Sequence, residues 1–556
     1  MKNKIKETVK NNKFYLIIFA IVIILFLPIC TNLYVGGHDT DYHISNILAI
    51  MENIDISNGK FFPDKVVPLI ANNFGWGNGI FYPSFPHYIT AYIGIFLSIF
   101  NITVVSAMKL THFMTVLASG IFMFWLMKKK TKNNYASLFS SIIYITFPYF
   151  ITDFFIRDAY AETFMFVFIP LIFLGLEYLF ENNYKKFYIF FIIGYIGVMN
   201  SHLVLSVYLT FFVILFLLLN YKFVFNKKNI ISLFVSAILI LCFTSPFTIP
   251  LIEHTINGKY VVYLKDYMYS YEKIQSSLVN FNQYFTNESI DFIPRAISFV
   301  GLISFVLVLV NLKKISNKSL VKYIILSCIV VFMLSPLFPW SKMPSFLLNI
   351  QFVWRLETFL VFFISVVSGY AIYLFDKKSL KNFISISLIV AIIQAFMIMN
   401  NATIMQIHLN YIDFNTKGAA QYQYIPVSAF ENQDYFLNRN NNVKLKSGQA
   451  QIKIIENNTP YLKFEVSTKE KITIEIPRFF YFGYDIVLDN GKDKKHLAYK
   501  ENKNGFIELT IPYSGTVIVK YSGTNGYKLS LILFLLATII SLIYLIKCKT
   551  FKIIHK

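Results

Sequence analysis

Four ionisable side chains lie within six residues in the stretch HDTDYH, residues 38–43. If this stretch is helical, Asp39 and His43 share one face, whereas His38 and Asp41 share another. A carboxylate with a histidine one turn away suits a general base, or a pair that orients a hydroxyl group. The competing interpretation is an aspartate that caps a helix beside interfacial histidines, and spacing alone favours it.

The surroundings of these carboxylates widen the range of chemistry. Asp39 and Asp41 together would admit a divalent cation, Mg²⁺ or Mn²⁺, although the pattern requires no cofactor. Gly36 and Gly37 precede them, and a pair of glycines lets a chain turn sharply. The stretch follows the first apolar run directly, so it is a candidate catalytic site at a membrane surface.

Further ionisable and aromatic side chains occur where other apolar segments begin or end. They are Arg157, Asp158 and Glu162 in ITDFFIRDAYAE, His202 after Ser201, Glu253 and His254 after TSPFTIPLI, and Trp354, Arg355 and Glu357 in NIQFVWRLE. An unpaired ionisable group at membrane depth costs roughly 2.5–3.5 kcal/mol, so such groups usually face a partner or a polar cavity. A local ion pair would explain any one of them, but their number predicts a shared extracytoplasmic cavity.

A cavity of this composition suits one class of substrate. Arginine binds phosphate through two parallel hydrogen bonds, so it would hold an anionic lipid headgroup whose apolar tail lies along the helices. An opposing carboxylate would deprotonate an acceptor hydroxyl group that attacks the headgroup sugar. Such a transfer needs no nucleotide, and the sequence contains neither a Walker A pattern nor a GxGxxG fingerprint.

The composition indicates where these residues lie. Of the 556 residues, 56% are hydrophobic and 15% are charged, whereas soluble proteins have about 25% charged residues. The sequence therefore predicts a polytopic α-helical membrane protein whose first partner is the lipid bilayer. The formal net charge of +21 does not predict nucleic-acid binding, because the lysines cluster at the ends of apolar runs and act there as topology signals.

Runs of about 20 apolar residues, enough to cross a bilayer, occur throughout the chain. We predict transmembrane helices near 14–34, 104–127, 135–152, 162–180, 187–200, 202–220, 230–250, 294–312, 320–338, 355–375, 380–399 and 528–547. The run 84–100 is predicted to be an interfacial or re-entrant helix, because a span there would invert every later segment. The expected total is about 12–13 helices.

The positive-inside rule orients these spans. It places the lysine-rich ends and both termini in the cytoplasm, and the exterior loops 35–83, 251–293 and 339–354 outside the cell membrane. The first apolar run has no small-residue cleavage site after it, so we expect it to remain as the first span.

Residues 401–527 have a different pattern. Segments such as KITIEIP and GTVIVKYSG alternate apolar and polar side chains, and the pairs Asn490-Gly491, Asn504-Gly505 and Asn525-Gly526 favour turns. They predict an extracytoplasmic β-sandwich-like domain. The expected domains are a transmembrane domain at 1–400, this β-rich domain, and a last helix with a cytoplasmic tail at 528–556.

Several of these motifs resemble one bacterial membrane family. GGHDTDYHISNI, NGKFFPDKVVPLIANNFGWGNGIFYPSFPHYITAYIG, RDAYAE, NSHLVLS, SPFTIPLIEH and LFPWSKMPSFLLNIQFVWRLE are similar to the 6-pyruvoyl-tetrahydropterin synthase-related membrane proteins. That family looks like part of the GT-C superfamily of polyprenyl-phosphate-dependent glycosyltransferases, alongside YfhO-type proteins. The late segment RFFYFGYDIVLDNGK is similar to the YfhO-type exterior domain. The pterin-synthase label is set aside, because its zinc ion needs three histidines in a soluble fold.

The resemblance implies a GT-C-like fold and a catalytic carboxylate in the first exterior loop, which falls on Asp39, with Asp41 as the second choice. It also implies cationic residues around a donor phosphate, for which Arg157 and Arg355 are the best positions. The implied activity is inverting hexosyl transfer from a polyprenyl-phosphate-linked sugar to a cell-envelope polymer or glycolipid.

Two other functions fit a chain of this kind. A lipid-linked saccharide transporter or flippase also needs polar groups at depth, but transporters usually have interrupted helices at the midplane and paired halves. Here the polar residues collect at one interface. A membrane scaffold that binds cell-envelope polymer through the β-rich domain would need only one anchoring span, so the glycosyltransferase is the leading interpretation.

Overall fold

A computed structural model of the chain describes residues 2–30, 37–67, 73–264, 271–279, 289–290, 293–294, 296–315, 317–403, 422–458 and 461–547. Most of these residues are helical, and a β-rich region lies near the C-terminus. Packing divides the chain into two units. The first contains Met1–Asp41, Asn101–Ile240 and Tyr269–Ile412, and the second contains Tyr42–Phe100, Leu241–Met268 and Asp413–Lys556.

The α-helices are, in chain order, α1 (Lys2–Phe26), α2 (Thr40–Asn53), α3 (Asn78–Phe81), α4 (Phe85–Ser98), α5 (Val104–Thr131), α6 (Asn134–Thr146), α7 (Pro148–Thr152), α8 (Tyr160–Phe180), α9 (Tyr184–Ser201), α10 (Leu203–Leu219), α11 (Tyr221–Val224), α12 (Lys227–Asn257), α13 (Tyr271–Ser276), α14 (Phe299–Val310), α15 (Leu312–Ile315), α16 (Lys318–Leu334), α17 (Glu357–Gly369), α18 (Lys377–Thr403), α19 (Val427–Glu431), α20 (Gln433–Leu437) and α21 (Asn525–Lys547). A π-helical turn covers Asp153–Arg157, and 3₁₀ turns cover Leu27–Ile29, Val261–Tyr263, Trp340–Lys342, Ser345–Ile350, Val353–Leu356 and Tyr370–Leu374. Each predicted span overlaps at least one of these helices.

Seven segments of the described chain are helical, long and apolar enough to cross a membrane. They are Asn12–Ile29, Val104–Thr131, Tyr160–Phe180, Lys227–Asn257, Val353–Leu374, Lys378–Asn400 and Asn525–Ile546. An eighth results if α6 and the segment Pro148–Arg157, which meet at a bend of 46°, form one span. These helices are consistent with a membrane protein. The predicted interfacial helix corresponds to α4, which has 14 residues.

The bend after α6 follows from the local sequence. A proline disfavours helical conformation at the residue before it, and Phe147, before Pro148, is extended with φ −61° and ψ 136°. Helix resumes at Pro148, because proline is tolerated in a first turn. The π-helical turn then ends at Asp158, which is left-handed with φ 54° and ψ 42°. Arg157 and Asp158 therefore lie at the end of a helical segment.

Helix packing in the first unit holds these ends in place. The helix α8 packs against α5 and α9, and α6 packs against α5 and α17. A Cβ atom at Gly175 in α8 would lie 2.8 Å from the backbone N of Phe191 in α9, and small residues permit such close helix contacts in membranes. The contact fixes α8, whose first turn carries Glu162.

The strands are β1 (Ser289–Ile290), β2 (Ile293–Pro294), β3 (Lys444–Ser447), β4 (Ala450–Asn458), β5 (Tyr461–Thr468), β6 (Ile472–Phe479), β7 (Tyr484–Asp489), β8 (Lys494–His496), β9 (Tyr499–Glu501), β10 (Phe506–Ile511) and β11 (Gly515–Tyr521). Strands β1 and β2 pair with each other, and the second unit has two antiparallel sheets, ordered β3-β6-β10-β9 and β4-β5-β11-β7-β8. Alternate residues of β5, such as Leu462 and Phe464, are buried in one core with Ile474 of β6.

This confirms the predicted C-terminal β-rich region. Gly491 and Gly505 have φ of 83° and 76°, as expected in turns. The pair Asn525-Gly526 differs from the prediction, because it begins α21 instead of closing a hairpin.

Candidate functional site

Glu162 is the centre of a buried cluster in the first unit. Its carboxylate accepts two hydrogen bonds from Arg157, from Nη1 to Oε2 at 2.9 Å and from Nη2 to Oε1 at 3.1 Å. Arg355 Nε lies 2.8 Å from Oε1 of the same group. Two guanidinium groups from distant segments of the chain therefore share one carboxylate.

Other contacts fix the two arginines. Arg157 also donates to Asp153, four residues earlier in the π-helical turn, and its guanidinium lies 4.2 Å from the ring centroid of Trp354. Such a cation–π contact is stabilising when desolvated. Arg355 Nη1 donates to Oε1 of Gln351 at 2.7 Å. Arg157, Glu162 and Arg355, which the sequence singles out in separate motifs, are thus in contact with one another through Glu162.

His202 joins this cluster from the junction of α9 and α10. Its Nδ1 accepts a hydrogen bond from the backbone N–H of Leu205 at 3.2 Å and so caps α10. A neutral imidazole has one N–H group, which this contact assigns to Nε2. That nitrogen lies 3.8 Å from Oε1 of Glu162.

Asp39 lies beside the cluster, in a turn that precedes α2. Its backbone N–H donates to the carbonyl of Arg157 at 3.1 Å, and its side chain is partly buried. Burial raises the pKa of the Asp39 carboxyl, the charge of Arg157 opposes this rise, Glu162 adds to it, and Arg355 opposes it. The carboxyl of Asp39 is therefore within electrostatic range of both arginines.

The turn that carries Asp39 is anchored to Asp158. Thr40 Oγ1 accepts from the N–H of Gly37 at 2.7 Å and donates to Oδ2 of Asp158 at 2.5 Å. His112 of α5 places Nε2 3.4 Å from the other oxygen, Oδ1. A Cβ atom at Gly37 would lie 2.6 Å from Cβ of Asp158, so only glycine permits this approach. Asp158, a predicted substrate ligand, thus positions the turn.

Asp39 and His43, which the sequence predicts on one face of a helix, lie in different surroundings in the structure. Because α2 begins at Thr40, Asp39 precedes the helix, and helical spacing does not relate it to His43. His43 belongs to the second unit, where its Nδ1 lies 2.9 Å from Nε2 of His87. Both rings are buried, and burial lowers the pKa of His87 to about 3. His43 is therefore one member of a buried histidine pair.

His38 and Asp41 are both exposed. The cation expected on Asp39 and Asp41 stays a prediction: Asp39 is within electrostatic range of two arginines and of the carboxylates Glu162 and Asp158, whereas Asp41 is exposed. Among the residues that the structure describes, no three His, Cys, Asp or Glu side chains are grouped to hold a metal ion.

Glu253 and His254 lie near the end of α12, in the second unit. His254 is fully buried, with Nδ1 2.8 Å from the carbonyl of Pro250 and Nε2 3.1 Å from the carbonyl of Phe482. Glu253 accepts a hydrogen bond from Thr524. These contacts are internal to the second unit, and the structure places neither residue in the Glu162 cluster.

Glu357 is buried in the first turn of α17. It interacts electrostatically with Tyr149, whose hydroxyl group lies 3.4 Å from Oε2 of Glu162. Glu357 is thus at the edge of the cluster, on the same side as Tyr149.

Carboxylates outnumber arginines in this part of the first unit. The acidic residues are Asp39, Asp153, Asp158 and Glu162, and the basic ones are Arg157 and Arg355. Oδ2 of Asp153 and Nε1 of Trp354 are buried without a hydrogen-bond partner in the described part of the chain. Buried polar atoms normally have hydrogen-bond partners, so a polar ligand could supply the partner that each of these two atoms lacks.

Three residues of this arrangement were not predicted: Thr40, His112 and Tyr149. Thr40 lies between the two singled-out aspartates, and its partner Asp158 is 118 positions away. His112 could have been found from the sequence, since it is an ionisable side chain inside the predicted span 104–127 and such a side chain usually has a polar partner.

Comparison with known proteins names no activity. No protein-family model matches the chain. The chain is similar to an uncharacterized protein of Lactococcus lactis subsp. cremoris (strain MG1363), with 24% identity over an alignment that covers 97% of this chain and 96% of that protein. The similarity therefore extends over both structural units.

Proposed function

We propose that this chain is an integral membrane glycosyltransferase of the GT-C type, with about 12–13 transmembrane helices and an extracytoplasmic β-sandwich-like domain. It would move a sugar from a polyprenyl-phosphate-linked donor to a cell-envelope polymer or glycolipid on the outer face of the membrane. The observation that carries the proposal is the position of Asp39 beside two arginines that share Glu162.

Asp39 is the proposed general base. A base works best when its pKa approaches the working pH, and burial raises the pKa of the Asp39 carboxyl. Its side chain is only partly buried, so an acceptor hydroxyl group can approach it. The backbone contact with Arg157 and the anchor at Asp158 hold it in place.

Arg355 is the proposed ligand of the donor phosphate. Arg157 uses both Nη atoms on Glu162, whereas Arg355 meets Glu162 through Nε and Gln351 through Nη1. Its Nη2 has no hydrogen-bond partner among the described residues. A guanidinium with a free N–H edge suits a phosphate oxygen.

These roles give a single displacement. The acceptor hydroxyl group loses its proton to Asp39 as its oxygen bonds to the anomeric carbon of the sugar. The bond from that carbon to the lipid phosphate breaks, and the phosphate oxygen keeps the electron pair. Arg355 stabilises the charge that develops there. One displacement at the anomeric carbon inverts its configuration.

The test is sugar transfer by the purified full-length chain in vesicles that contain radiolabelled polyprenyl-phosphate-linked hexoses and extracted envelope acceptors. Asp39→Asn should fold normally and lose transfer by about 10²–10⁴-fold, the usual contribution of a general base. Asp41→Asn tests the second carboxylate, and Asp55→Asn, in an exposed turn, is the matched control. Full transfer by Asp39→Asn would reject Asp39 as the base.

One observation favours a second candidate, a lipid-linked saccharide transporter. The excess of carboxylates over arginines suits a site that exchanges protons or cations as well as one that binds phosphate. A transporter would move a fluorescent lipid-linked saccharide across the vesicle bilayer and leave its sugar–phosphate bond intact. A glycosyltransferase would release the lipid phosphate, so analysis of the lipid product separates the two.

A further inference from the structure

A second polar site lies in the first unit, where the apolar part of α1 begins, α5 ends and α6 starts. It is a cavity of about 650 Å³ lined in part by Lys13, Lys128, Lys132, Tyr135 and Tyr373. This volume is within the range of about 300–1,000 Å³ that small-molecule sites occupy. Its lining includes three lysines and no acidic side chain.

The three lysines of this cavity carry uncompensated positive charge. In the described part of the chain, none of Lys13, Lys128 and Lys132 forms an ion pair. The two lysines between the latter pair behave differently, because Lys129 pairs with Glu181 and Lys130 with Glu177. The lysines at this end of α5 that lie outside the cavity are therefore neutralised by glutamates, whereas those that line the cavity are not. This difference favours an anionic ligand in the cavity.

The neighbouring surface is that of a lipid site. Leu16 and Ile17 follow Lys13 by three and four positions, so they share its face of α1, and they are 47% and 37% exposed. Tyr135 and Tyr373 are exposed beside the lysines, and tyrosine is enriched where headgroups meet the hydrocarbon. Cationic side chains therefore lie at the end of an apolar face.

We propose that this cavity binds the phosphate of an anionic phospholipid headgroup, with the acyl chains along the exposed face of α1. Lys13, Lys128 and Lys132 would surround the phosphate, and each lysine near an anionic headgroup contributes to its binding. The proposal does not depend on sugar transfer, because none of these residues belongs to the Glu162 cluster.

The experiment is native mass spectrometry of the delipidated full-length protein, titrated with phosphatidylglycerol. The variant Lys13→Gln/Lys128→Gln/Lys132→Gln should bind the lipid about 10- to 100-fold more weakly than the unmodified chain. The matched control is Lys222→Gln/Lys227→Gln/Lys228→Gln, which removes the same charge from another exposed lysine cluster and should bind as the unmodified chain does. Replacing the three cavity lysines by arginine should restore binding.

Two results would overturn the proposal. Equal binding by the cavity variant and the control would show that these lysines form no specific site. Inorganic phosphate or glycerol 3-phosphate that binds the cavity as tightly as the lipid would identify a soluble phosphate as its ligand. Thermal unfolding of the variants without lipid shows whether a loss of binding comes from misfolding. If the glutamine variant misfolds, the arginine variant is the test, because it keeps the three charges and must bind the lipid as the unmodified chain does.

Discussion

Two buried glutamates, Glu162 in the first unit and Glu475 in the second, are both surrounded by cations and hydrogen-bond donors. Each oxygen of Glu475 accepts two contacts, which come from Tyr435, Arg439, Asn502 and Lys446. Glu475 belongs to the central part of a sheet, in β6. Its contacts tie that sheet to α20 and the segment that follows it.

The Glu162 cluster differs in its charge and in its unsatisfied atoms. Glu475 is one carboxylate with two cations, whereas Glu162 has three further carboxylates around two arginines. The buried Oδ2 of Asp153 has no hydrogen-bond partner among the described residues, and Asp39 is only partly buried. The two clusters therefore have similar ion pairs but differ in their balance of charge and in how completely their buried polar atoms are hydrogen-bonded.

The largest expected effects come from neutralising the two glutamates. Glu162→Gln leaves the buried Arg157 and the partly buried Arg355 without their shared carboxylate, and Glu475→Gln removes the carboxylate that pairs with the buried Arg439. Breaking a buried ion pair costs about 3–5 kcal/mol, so both should lower the free energy of unfolding of the detergent-purified chain by that amount. Transfer should be lost with Glu162→Gln and kept in the folded fraction of Glu475→Gln. Equal transfer by the two variants would remove the functional difference between the regions.

Gly37→Ala should reduce sugar transfer by displacing Asp39, without removing any functional group of the Glu162 cluster. The added Cβ would lie 2.6 Å from Cβ of Asp158, so the turn with Asp39 must shift. A misplacement of about 1 Å can cost about 100-fold in rate, and we expect a loss of transfer of that order. Gly59→Ala is the control: at its φ of 75° an alanine strains the backbone, but its Cβ meets no atom within 4 Å, so the change displaces no neighbour and transfer should be unchanged. Unchanged transfer by Gly37→Ala would show that the close approach is dispensable.

Thr40→Val should act through the loss of the Thr40 hydroxyl group, which donates a hydrogen bond to Asp158 and accepts one from the N–H of Gly37. Valine keeps the shape of the side chain, whereas Thr40→Ser keeps the hydroxyl group. A hydrogen bond to a charged group contributes about 1.5–3 kcal/mol, so chemical unfolding should show a loss of that size for valine and a smaller one for serine. Similar losses for both would assign the effect to packing of the methyl group.

The smallest effect expected is a difference in pH dependence. Burial raises the pKa of Asp39, so the folded chain holds this proton more tightly, and the resulting stability is lost as pH rises through the raised value. For Glu475, burial raises the pKa, but hydrogen bonds from Tyr435, Lys446 and Arg439 outweigh it and lower the pKa overall. The contribution of Glu475 to the free energy of unfolding is therefore fully present above the ordinary glutamate pKa of about 4.3, and it is lost as pH falls through the lowered pKa.

Unfolding free energies measured against pH test these opposite slopes. Asp39→Asn should remove the decrease in stability that occurs as pH rises from the ordinary aspartate pKa to the raised one. Glu475→Gln should remove the decrease that occurs as pH falls from the ordinary glutamate pKa to the lowered one. Two variants with the same pH profile as the unmodified chain would contradict both assignments.

Much of this architecture follows from local patterns. Runs of apolar residues indicate the long helices, and alternation of apolar and polar residues indicates the C-terminal strands, because both signals are local in the chain. Arg157, Glu162 and Arg355 were recognisable since charged groups in apolar surroundings need partners. Their types and positions indicated a cluster before any contact was known.

The remaining contacts depend on residues far apart in the chain. The HDTDYH stretch is expected to be helical throughout, but in the structure α2 begins at Thr40, Asp39 precedes it in a turn, and Thr40 bonds to the distant Asp158. Three histidines that look alike in the sequence have different environments in the structure. His43 pairs with another histidine, His254 contacts a backbone carbonyl, and His202 lies near Glu162. No spacing rule along one chain distinguishes these three environments.

The short distance between Arg157 and Glu162 along the chain has a consequence for biosynthesis. Glu162 emerges from the ribosome five residues after its first cation, whereas Arg355 follows roughly 190 residues later, about 10–40 s at ordinary rates of translation. During that interval Arg157 is the only one of these two arginines that has been made. The ion pair of Glu162 with Arg157 can therefore form first, and the second arginine can join it only after most of the first unit has been made.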